Sequence, residues 1–324
     1  MKKIIIIVFV LLPLLLASCT ERLKVQNNPP IYALNTTIDV TFYNTDNYEL
    51  HYKKIKEIYN DVSRIASDFE SNYNETSVYD LNQKRKINSS SILVDLINKA
   101  LYYKELTNGY YNPFIGRISH IWKEALDTKL LPDENLISSE IEIMNNTNII
   151  ISEDTITLIG DGNLDLGGIA KGYATELVYQ YLKENNITSY LIDAGNSSIT
   201  LGSKGKNTFR LGLINPIENN YYAYLNLRNT SIATSSFQHQ KAIIDGNIYH
   251  HLVNPKTGYP SNLYSSLSIV GIDNTMLDVL STAMFSMSID EIKEFEELYN
   301  LKAIILKDND IIYQNEGCDF LEKA

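Results

Sequence analysis

Cysteine is nearly absent from this 324-residue sequence, which contains only Cys19 and Cys318. Cys19 belongs to a distinct N-terminal segment, so Cys318 is the one cysteine left for the folded part. A lone cysteine can form neither an internal disulfide nor a zinc–thiolate site, and both are therefore excluded. We interpret Cys318 as structurally incidental.

Basic residues are also scarce: 28 Lys and Arg stand against 39 Asp and Glu, which gives a formal net charge of −11. Non-specific nucleic-acid binding requires a basic face, so the composition argues against nucleic acid as a partner. An anionic ligand must instead be met by a local cation, by helix amides or by a metal ion. The hydrophobic content of 44% is sufficient for a sizeable core.

The apolar run at residues 4–16 is too short to span a bilayer comfortably. It follows Lys2 and Lys3 and has the length of a signal-peptide core. The segment Leu16-Ala17-Ser18-Cys19 matches the lipobox of bacterial lipoproteins, in which the cysteine is lipidated. A plain secretory signal with a chance cysteine is the alternative.

These features predict three segments: a lipoprotein signal peptide at residues 1–18, a tether at 19–30 and one domain at 31–324. The mature protein is then lipid-anchored to a bacterial membrane through Cys19 and faces the periplasm or the exterior.

Hydrophobic periodicity predicts a mixture of helices and strands, with no 20–50-residue repeat typical of a solenoid. The predicted strands and hairpins lie at residues 36–43, 149–159, 189–193, 210–214, 222–233, 241–244, 266–272 and 302–314. The predicted helices lie at residues 50–70 and 92–106, and three more begin near residues 169, 275 and 288. Helices and strands do not alternate strictly, so the predicted class is α+β.

The first segment with chemical potential is the glycine turn Asp165-Leu166-Gly167-Gly168, which leads into a helix. A strand, a glycine turn and a helix start form a place where phosphate can approach backbone amides. Lys171 adds a positive charge in the first helical turn. The segment is neither a P-loop nor G-x-G-x-x-G, and its spacing alone favours the alternative of a tight turn into a helix with a surface lysine.

The second segment is Asp278-Val-Leu-Ser281-Thr282. Positions i, i+3 and i+4 of a helix share one face, so these three side chains present their oxygens together. A carboxylate with two hydroxyls suits a hard cation such as magnesium. Thr275 and Asp278 also satisfy the capping-box pattern, so a helix-capping role for Asp278 is the alternative.

The third segment contains the histidine pair His250-His251, followed by the turn at 254–258. A histidine at a strand end can serve as a base. Adjacent strand residues point to opposite faces, so only one of the pair can face a site. Surface histidines on a hairpin are the alternative.

Together these segments resemble the ApbE family of FAD:protein FMN transferases over residues 32–316. Residues 165–174 are close to the family's Asp-Leu-Gly-Gly-Ile-Ala-Lys-Gly-Tyr-Ala, and Gly109-Tyr-Tyr-Asn-Pro113 resembles its Gly-Ala-Phe-Asp-Pro turn. The other matching segments are residues 34–36, 73–82, 231–235, 251–258 and 278–282. The resemblance implies an ApbE-like (T-fold-like) architecture.

The resemblance also implies roles for individual residues. Magnesium would be held by the side chains of Asp278, Ser281 and Thr282 and by the backbone carbonyl of Gly168, and His251 would be the base, with Lys171 neutralising the diphosphate. The residues expected to contact FAD are Leu34, Tyr73, Tyr110, Tyr111, Asn112, Asp165, Lys171 and Val253.

This sequence departs from the family pattern at several positions, although the metal-binding helix is intact. Asn112 and Asn254 replace aspartates, and Asn35 and Ser236 replace glycines. Residues 193–197 read Asp-Ala-Gly-Asn-Ser where the family often has Asn-Ala-Gly-Gly-Asp. These changes concern the flavin pocket and the balance between transfer and hydrolysis.

The activity implied by the resemblance is magnesium-dependent transfer of FMN from FAD to a threonine of redox-complex subunits, with release of AMP. A magnesium-dependent FAD pyrophosphatase would use the same site with water as the acceptor. A non-catalytic FAD-binding lipoprotein is the third hypothesis, and the intact Asp278, Ser281 and Thr282 face argues against it.

Overall fold

The computed structural model describes residues 23–72, 74–238, 240–318 and 321–323, which form eight helices and nineteen strands. The predicted α+β class is confirmed, because every strand pair in these residues is antiparallel and the helices are inserted without strict alternation. Residues 1–22, with the apolar run and Cys19, lie outside the described part of the chain, as does Tyr73.

Many of the strands show alternating burial, and others are buried on both faces. In chain order they are β1 Val25–Asn27, β2 Ile31–Ala33, β3 Thr36–Tyr43, β4 Lys86–Asn88, β5 Asn148–Ile151, β6 Thr155–Ile159, β7 Tyr190–Ala194, β8 Ser198–Leu201, β9 Phe209–Ile214, β10 Tyr221–Leu227, β11 Thr230–Ser236, β12 Lys241–Ile244, β13 Asn247–His250, β14 Val253–Asn254, β15 Tyr259–Pro260, β16 Ser266–Gly271, β17 Lys302–Lys307, β18 Asp310–Gln314 and β19 Leu321–Lys323.

The helices carry apolar residues at three- and four-residue spacing on their inner faces. They are α1 Tyr48–Ala66, α2 Val78–Lys84, α3 Ser91–Leu106, α4 Gly116–Thr128, α5 Glu134–Asn145, α6 Gly167–Glu184, α7 Asn274–Met284 and α8 Ile289–Tyr299. The predicted Ser288/Glu291 capping box is confirmed at the start of α8.

A nine-stranded sheet forms the centre of the fold, in the order β1-β3-β7-β8-β11-β16-β17-β18, with β2 paired to β3. Helices α1, α6 and α7 pack on one face, and the three-stranded sheet β19-β10-β9 covers part of the other. Side chains of β16 show the division: Leu267 and Ile269 enter the helix-side core, whereas Val270 enters the core beneath the small sheet. The helix-side core positions the candidate site.

Three local predictions need correction. The strand predicted over residues 222–233 is wrong, because the chain turns at Asn229 (φ 50°) and β10 and β11 join different sheets. The helix predicted over residues 50–70 ends at Ala66, which leaves Phe69 half-exposed beyond it. Helices α2, α4 and α5 were not predicted.

Within the described ranges, each helix is either too short or too polar to cross a bilayer.

Candidate functional site

Helices α6 and α7 cross at Gly172, and this crossing determines the geometry of the site. A Cβ built on Gly172 would lie 2.3 Å from the main-chain oxygen of Asn274 and 2.4 Å from Cβ of Asp278, so only glycine fits. The Gly172 N–H donates to Asp278 Oδ2 at 2.8 Å. The contact joins the Asp-x-x-Ser-Thr segment of α7 to the first turns of α6.

Asp278 does not cap its helix, so the capping interpretation is wrong. The N-cap of α7 is Asp273, whose Oδ1 accepts from the Met276 N–H at 2.9 Å. Thr275 lies inside the helix and is buried, and its hydroxyl has no hydrogen-bond partner among the described residues. Asp278 is thus free of a capping role and is directed at α6.

Thr275→Val is expected to raise the free energy of unfolding by about 1 kcal/mol, because it removes a buried hydroxyl without a partner and keeps the β-branched shape. If Thr275 were a cap, the same change would lower stability by about 0.5–2 kcal/mol. Denaturant unfolding at neutral pH separates the two signs, and a loss of stability would contradict the structural assignment. Asp273→Ala is the matched control that removes the observed cap and should lower stability.

The Asp278 carboxylate lies in a poorly solvated place, with only 4% of the residue exposed. Burial raises its pKa, and the Lys171 ammonium and the Gly172 N–H oppose the rise. Lys171 Nζ lies 3.9 Å from Asp278 Oδ1, and its side chain is 23% exposed. One cation at that distance compensates the buried charge only in part, so a further positive charge is favoured here.

The two hydroxyls of the segment face the main chain of Asp278. Ser281 Oγ and Thr282 Oγ1 donate to the Asp278 carbonyl oxygen at 3.0 and 3.1 Å. Their lone pairs therefore remain as acceptors or ligands. Ser281 is buried and also contacts Ser235 Oγ at 3.0 Å, whereas Thr282 is half-buried beside Gly168.

Regular helix geometry directs the carbonyl of Gly168 toward the same N–H group that Asp278 contacts. In an α-helix the carbonyl of residue i accepts from the N–H of residue i+4, which for Gly168 is the N–H of Gly172. That N–H also donates to Asp278 Oδ2. The carboxylate and the carbonyl are thus directed at one N–H group, and each oxygen has lone pairs for further contacts.

These oxygens fit a hard divalent cation. They comprise one carboxylate, two hydroxyls whose protons point away, and one backbone carbonyl, which is the ligand chemistry of magnesium. No group of three or more His, Cys, Asp or Glu side chains that could hold a metal ion occurs in residues 23–72, 74–238, 240–318 and 321–323. The candidate set contains a single carboxylate and is of a different kind.

Asp165 links the glycine turn to the turn at residues 109–113. Its N–H donates to Pro113 O at 2.7 Å, and its Oδ1 accepts from the Gly167 N–H at 2.8 Å. Burial raises the pKa of Asp165, and the hydrogen bonds from Gly167 and Ser119 oppose the rise. The predicted contact residue Asp165 therefore holds the start of α6 in place.

The three residues of the turn at 110–112 have separate environments. Tyr111 is buried against Gly168, whereas the Tyr110 hydroxyl donates to Glu291 Oε1 at 3.0 Å on α8. Asn112 is buried, and its Oδ1 accepts from the Phe114 N–H at 3.0 Å. Of the three, Tyr111 is the one that the structure places beside Gly168 and Thr282.

The two histidines differ as the strand geometry predicted. His250 is buried, its Nδ1 accepts from the Leu252 N–H at 3.2 Å and its Nε2 lies 2.9 Å from Ser261 O. Burial lowers the pKa of His250 to about 4. His251 is exposed, with Nδ1 3.4 Å from Gln240 O. His250 is a neutral packing residue, so His251 remains the candidate base of the pair.

His250 should make stability fall on acidification. Its pKa is about 4 in the folded chain and about 6.5 in the unfolded chain. Its contribution to the free energy of unfolding is therefore present above pH 6.5 and is lost as pH falls toward 4. The expected loss by pH 5 is about 2 kcal/mol. His250→Gln should flatten the change between pH 7 and 5 in urea unfolding, whereas His251→Gln should not. Equal slopes for wild type and His250→Gln would disprove this assignment.

Leu34 occupies a strained turn. Leu34 and Asn35 have φ of 53° and 56°, the left-handed region, in the two-residue turn between β2 and β3, and the Leu34 N–H donates to Ser63 Oγ at 2.9 Å. Asparagine tolerates this region, which explains how Asn35 replaces the family's glycine. Leucine there is strained, as is common at ligand sites.

The remaining predicted contacts have simpler positions. Val253 begins the short strand β14 and pairs with Pro260. Tyr73 and Cys19 lie outside the described residues, and their assignments stay predictions.

Two features near the site were not predicted. Ser235 contacts Ser281, and its place in the Ser231-Ile-Ala-Thr-Ser235 segment was a usable signal. An Asp68–His120 pair, 2.9 Å apart, lies close enough to Asp165 for each to affect its pKa. Sequence offered no signal for this pair, because its residues are 52 positions apart.

The chain is similar to proteins of one known family. A model described as "ApbE family" matches residues 34–305. A FAD:protein FMN transferase of Klebsiella pneumoniae is 25% identical over 249 residues, covering 74% of this chain and 77% of its own. A protein of the same name from Haemophilus influenzae is 24% identical and covers 98% of this chain and 97% of its own. A third, from Treponema pallidum, is 26% identical, with 63% of each chain covered.

Solved structures show the same fold. The ApbE protein of Thermotoga maritima superposes with a TM-score of 0.78 at 24% identity, covering 91% of this chain and 97% of its own. The flavin transferase ApbE of Vibrio cholerae superposes with a TM-score of 0.72 at 19% identity, covering 91% and 98%.

Proposed function

The chain belongs to the ApbE family, and on that premise we propose that it transfers the FMN half of FAD to a threonine hydroxyl of acceptor proteins. The relatives named FAD:protein FMN transferase support flavin transfer from FAD to protein. The choice of threonine and the dependence on magnesium are our own additions, which the donor set at Asp278 supports.

In the proposed reaction the threonine oxygen attacks the phosphorus of the FMN half of FAD. A new phosphorus–oxygen bond forms, the bond to the bridging oxygen breaks, and AMP leaves with that oxygen. The threonine proton passes to a base, for which His251 is the candidate. Magnesium, when bound, would polarise the reacting phosphoryl group and offset the diphosphate charge.

The residues of the chain have three tasks in this reaction. The amides at the start of α6 and the Lys171 ammonium bind the diphosphate, and Asp165 holds that helix start by accepting from the Gly167 N–H. Asp278, Thr282 and Ser281 would hold the metal together with the Gly168 carbonyl. Gly172 keeps α6 and α7 close enough for both tasks.

A single observation carries the proposal: a buried carboxylate on α7, Asp278, accepts from a backbone amide of α6 and lies 3.9 Å from Lys171. This arrangement combines a cation-binding oxygen set with a cationic helix start, as a dinucleotide diphosphate requires in a chain of net charge −11.

The test is direct. Purified protein, FAD, magnesium and a threonine-containing redox subunit should give equal amounts of AMP and of a fluorescent covalent adduct on the subunit. Peptide mass spectrometry then locates the FMN. If no acceptor subunit is labelled with any divalent metal, the transferase proposal is wrong.

Hydrolysis is a second candidate, because water can replace threonine at the same electrophile. The departures from the family pattern at Asn112 and Asn254, which concern the flavin pocket, support hydrolysis as an alternative. Here Asn112 uses its side-chain oxygen within its own turn, and Asn254 Oδ1 accepts from the Lys256 N–H. AMP release that is unaffected by acceptor protein would favour FAD pyrophosphatase over transfer.

The location and partners follow from the same proposal. The lipobox at Cys19 supports a lipid anchor facing the periplasm or exterior, with redox-complex subunits of that compartment as acceptors. Labelling of cells with a palmitate analogue tests the anchor, and a protein that remains unlabelled and leaves the membrane in high salt would refute it.

A further inference from the structure

The hydroxyl of Tyr111 is a polar group in an unusual position. Tyr111 is only 5% exposed, and its hydroxyl has no hydrogen-bond partner within the described part of the chain. Burial of an unpaired hydroxyl opposes folding, and the great majority of buried polar side-chain atoms in proteins are paired. Such a group therefore points to a partner that binds from outside the chain.

The hydroxyl end of Tyr111 lies at the start of α6. Its Cε2, next to the ring carbon that bears the hydroxyl, is 3.3 Å from a Cβ built on Gly168, and the methyl of Thr282 is 3.5 Å from the same point. The phenol thus borders the segment that would receive the diphosphate and the metal.

The chemistry of this phenol is that of a donor. Burial raises the pKa of Tyr111 well above its usual value, and the Asp165 and Asp278 carboxylates raise it further. The hydroxyl therefore keeps its proton at neutral pH. It donates to neither carboxylate, so its proton remains available for a ligand oxygen.

We propose that the Tyr111 hydroxyl donates a hydrogen bond to an oxygen of the FAD diphosphate at the start of α6. The inference rests on the proposed function for the identity of the ligand. The family turn that residues 109–113 resemble has phenylalanine at this position, so the hydroxyl is an addition of this chain. A neutral donor suits a position within electrostatic reach of the Asp165 and Asp278 carboxylates, because it adds no charge and can still satisfy an anionic oxygen.

The proposal assigns opposite effects to Tyr111→Phe in the free and bound states. Without ligand, the variant loses only an unpaired hydroxyl, and its Tm should rise by about 2–4 °C. With ligand, it lacks one hydrogen bond, and the Kd for FAD should rise about tenfold. If the hydroxyl had a purely structural role, the variant's Tm should fall and its Kd for FAD should not change.

Three probes locate the hydrogen bond: FAD, ADP with magnesium, and riboflavin, whose binding is measured by fluorescence or calorimetry. The variant should bind FAD and ADP about tenfold more weakly and riboflavin as tightly as the wild type. Tyr264→Phe is the matched control, because the Tyr264 hydroxyl donates to Met287 O at 2.7 Å in a buried position. That variant should lose Tm and keep its affinity for all three probes.

The outcomes separate this inference from the proposed function. Wild-type protein that binds FAD but transfers no FMN to any acceptor subunit leaves the inference standing and overturns the transferase. If Tyr111→Phe binds FAD as tightly as the wild type does, and ADP likewise, the inference alone is overturned. Weaker binding of riboflavin together with FAD also overturns it, because the hydroxyl would then contact the flavin. Wild-type protein that binds neither FAD nor ADP overturns both.

Discussion

Asp278→Asn is expected to lower AMP release by about 100-fold to 1,000-fold while the variant folds normally. The change removes the only formal negative charge among the proposed metal ligands. It keeps the side-chain shape and an oxygen that can accept from the Gly172 N–H. High magnesium should restore part of the activity, because the remaining oxygens of Thr282 and Gly168 bind the cation more weakly.

A second measurement follows from the pKa of Asp278, which burial raises. A carboxyl with a folded pKa above the unfolded value stabilises the fold below the unfolded pKa, and that contribution is lost as pH rises through the folded pKa. Burial therefore makes ionisation of this carboxyl unfavourable in the metal-free wild type, and asparagine removes the ionisable group. The Tm of metal-free Asp278→Asn should equal or exceed that of wild type, and its rise on adding magnesium should be smaller.

Two controls separate metal binding from stability. Thr282→Val should reduce AMP release in the same direction but less, because a neutral hydroxyl binds a divalent cation more weakly than a carboxylate. Asp273→Ala removes the observed cap of α7 and should lower Tm without changing AMP release per folded molecule. If Asp278→Asn keeps both turnover and the magnesium-induced rise in Tm, the metal assignment is wrong and the mechanism built on it fails.

Much of the local structure could be predicted because its causes are local. The alternation of residues 36–43 produced β3 at the predicted bounds. The Asp245-Gly246 turn joins β12 and β13, with φ of 49° and 80° at its two residues, as a hairpin dipeptide should. These features depend on neighbours in sequence, which a pattern records.

The sequences of α4 and α5 also contain helix signals. In α4 the buried residues Ile118, Trp122 and Ala125 have the four- and three-residue spacing of a helix face. In α5 the Asp133 side chain accepts from the N–H groups of Asn135 and Leu136, a cap that follows a proline. Both helices are therefore predictable from the sequence of residues 116–145.

The candidate site also has features that the sequence predicts and features that depend on tertiary contacts. Motif order identified the segments that meet, but the role of Asp278 depended on a contact across 106 residues with Gly172. The local pattern fitted a capping box equally well, and only the position of Asp273 decided against it. The missing partner of the Tyr111 hydroxyl is likewise a property of packing, which a sequence does not record.

Gly172→Ala is expected to damage both the fold and the site. Helix propensity alone would make alanine better than glycine by about 1 kcal/mol. The new Cβ, however, would lie 2.3 Å from the Asn274 main-chain oxygen and 2.4 Å from Asp278 Cβ, and neither atom belongs to a flexible side-chain end. Relief requires α6 and α7 to move apart, which should lower Tm by about 2–10 °C.

The displacement also predicts a loss of function larger than the loss of stability. Separation of the helices carries Asp278 away from Gly168 and Lys171, and misplacement by about 1 Å can cost on the order of 100-fold in rate. AMP release per folded molecule should therefore fall about 100-fold, and magnesium should protect the variant less against unfolding. Gly168→Ala is the matched change in the same helix. Its nearest contact would be the Tyr111 ring at 3.3 Å, a side chain and not main chain, so its Tm should fall less than that of Gly172→Ala. If Gly172→Ala is as stable and as active as wild type, the close crossing does not position Asp278, and the geometry proposed for the metal site is wrong.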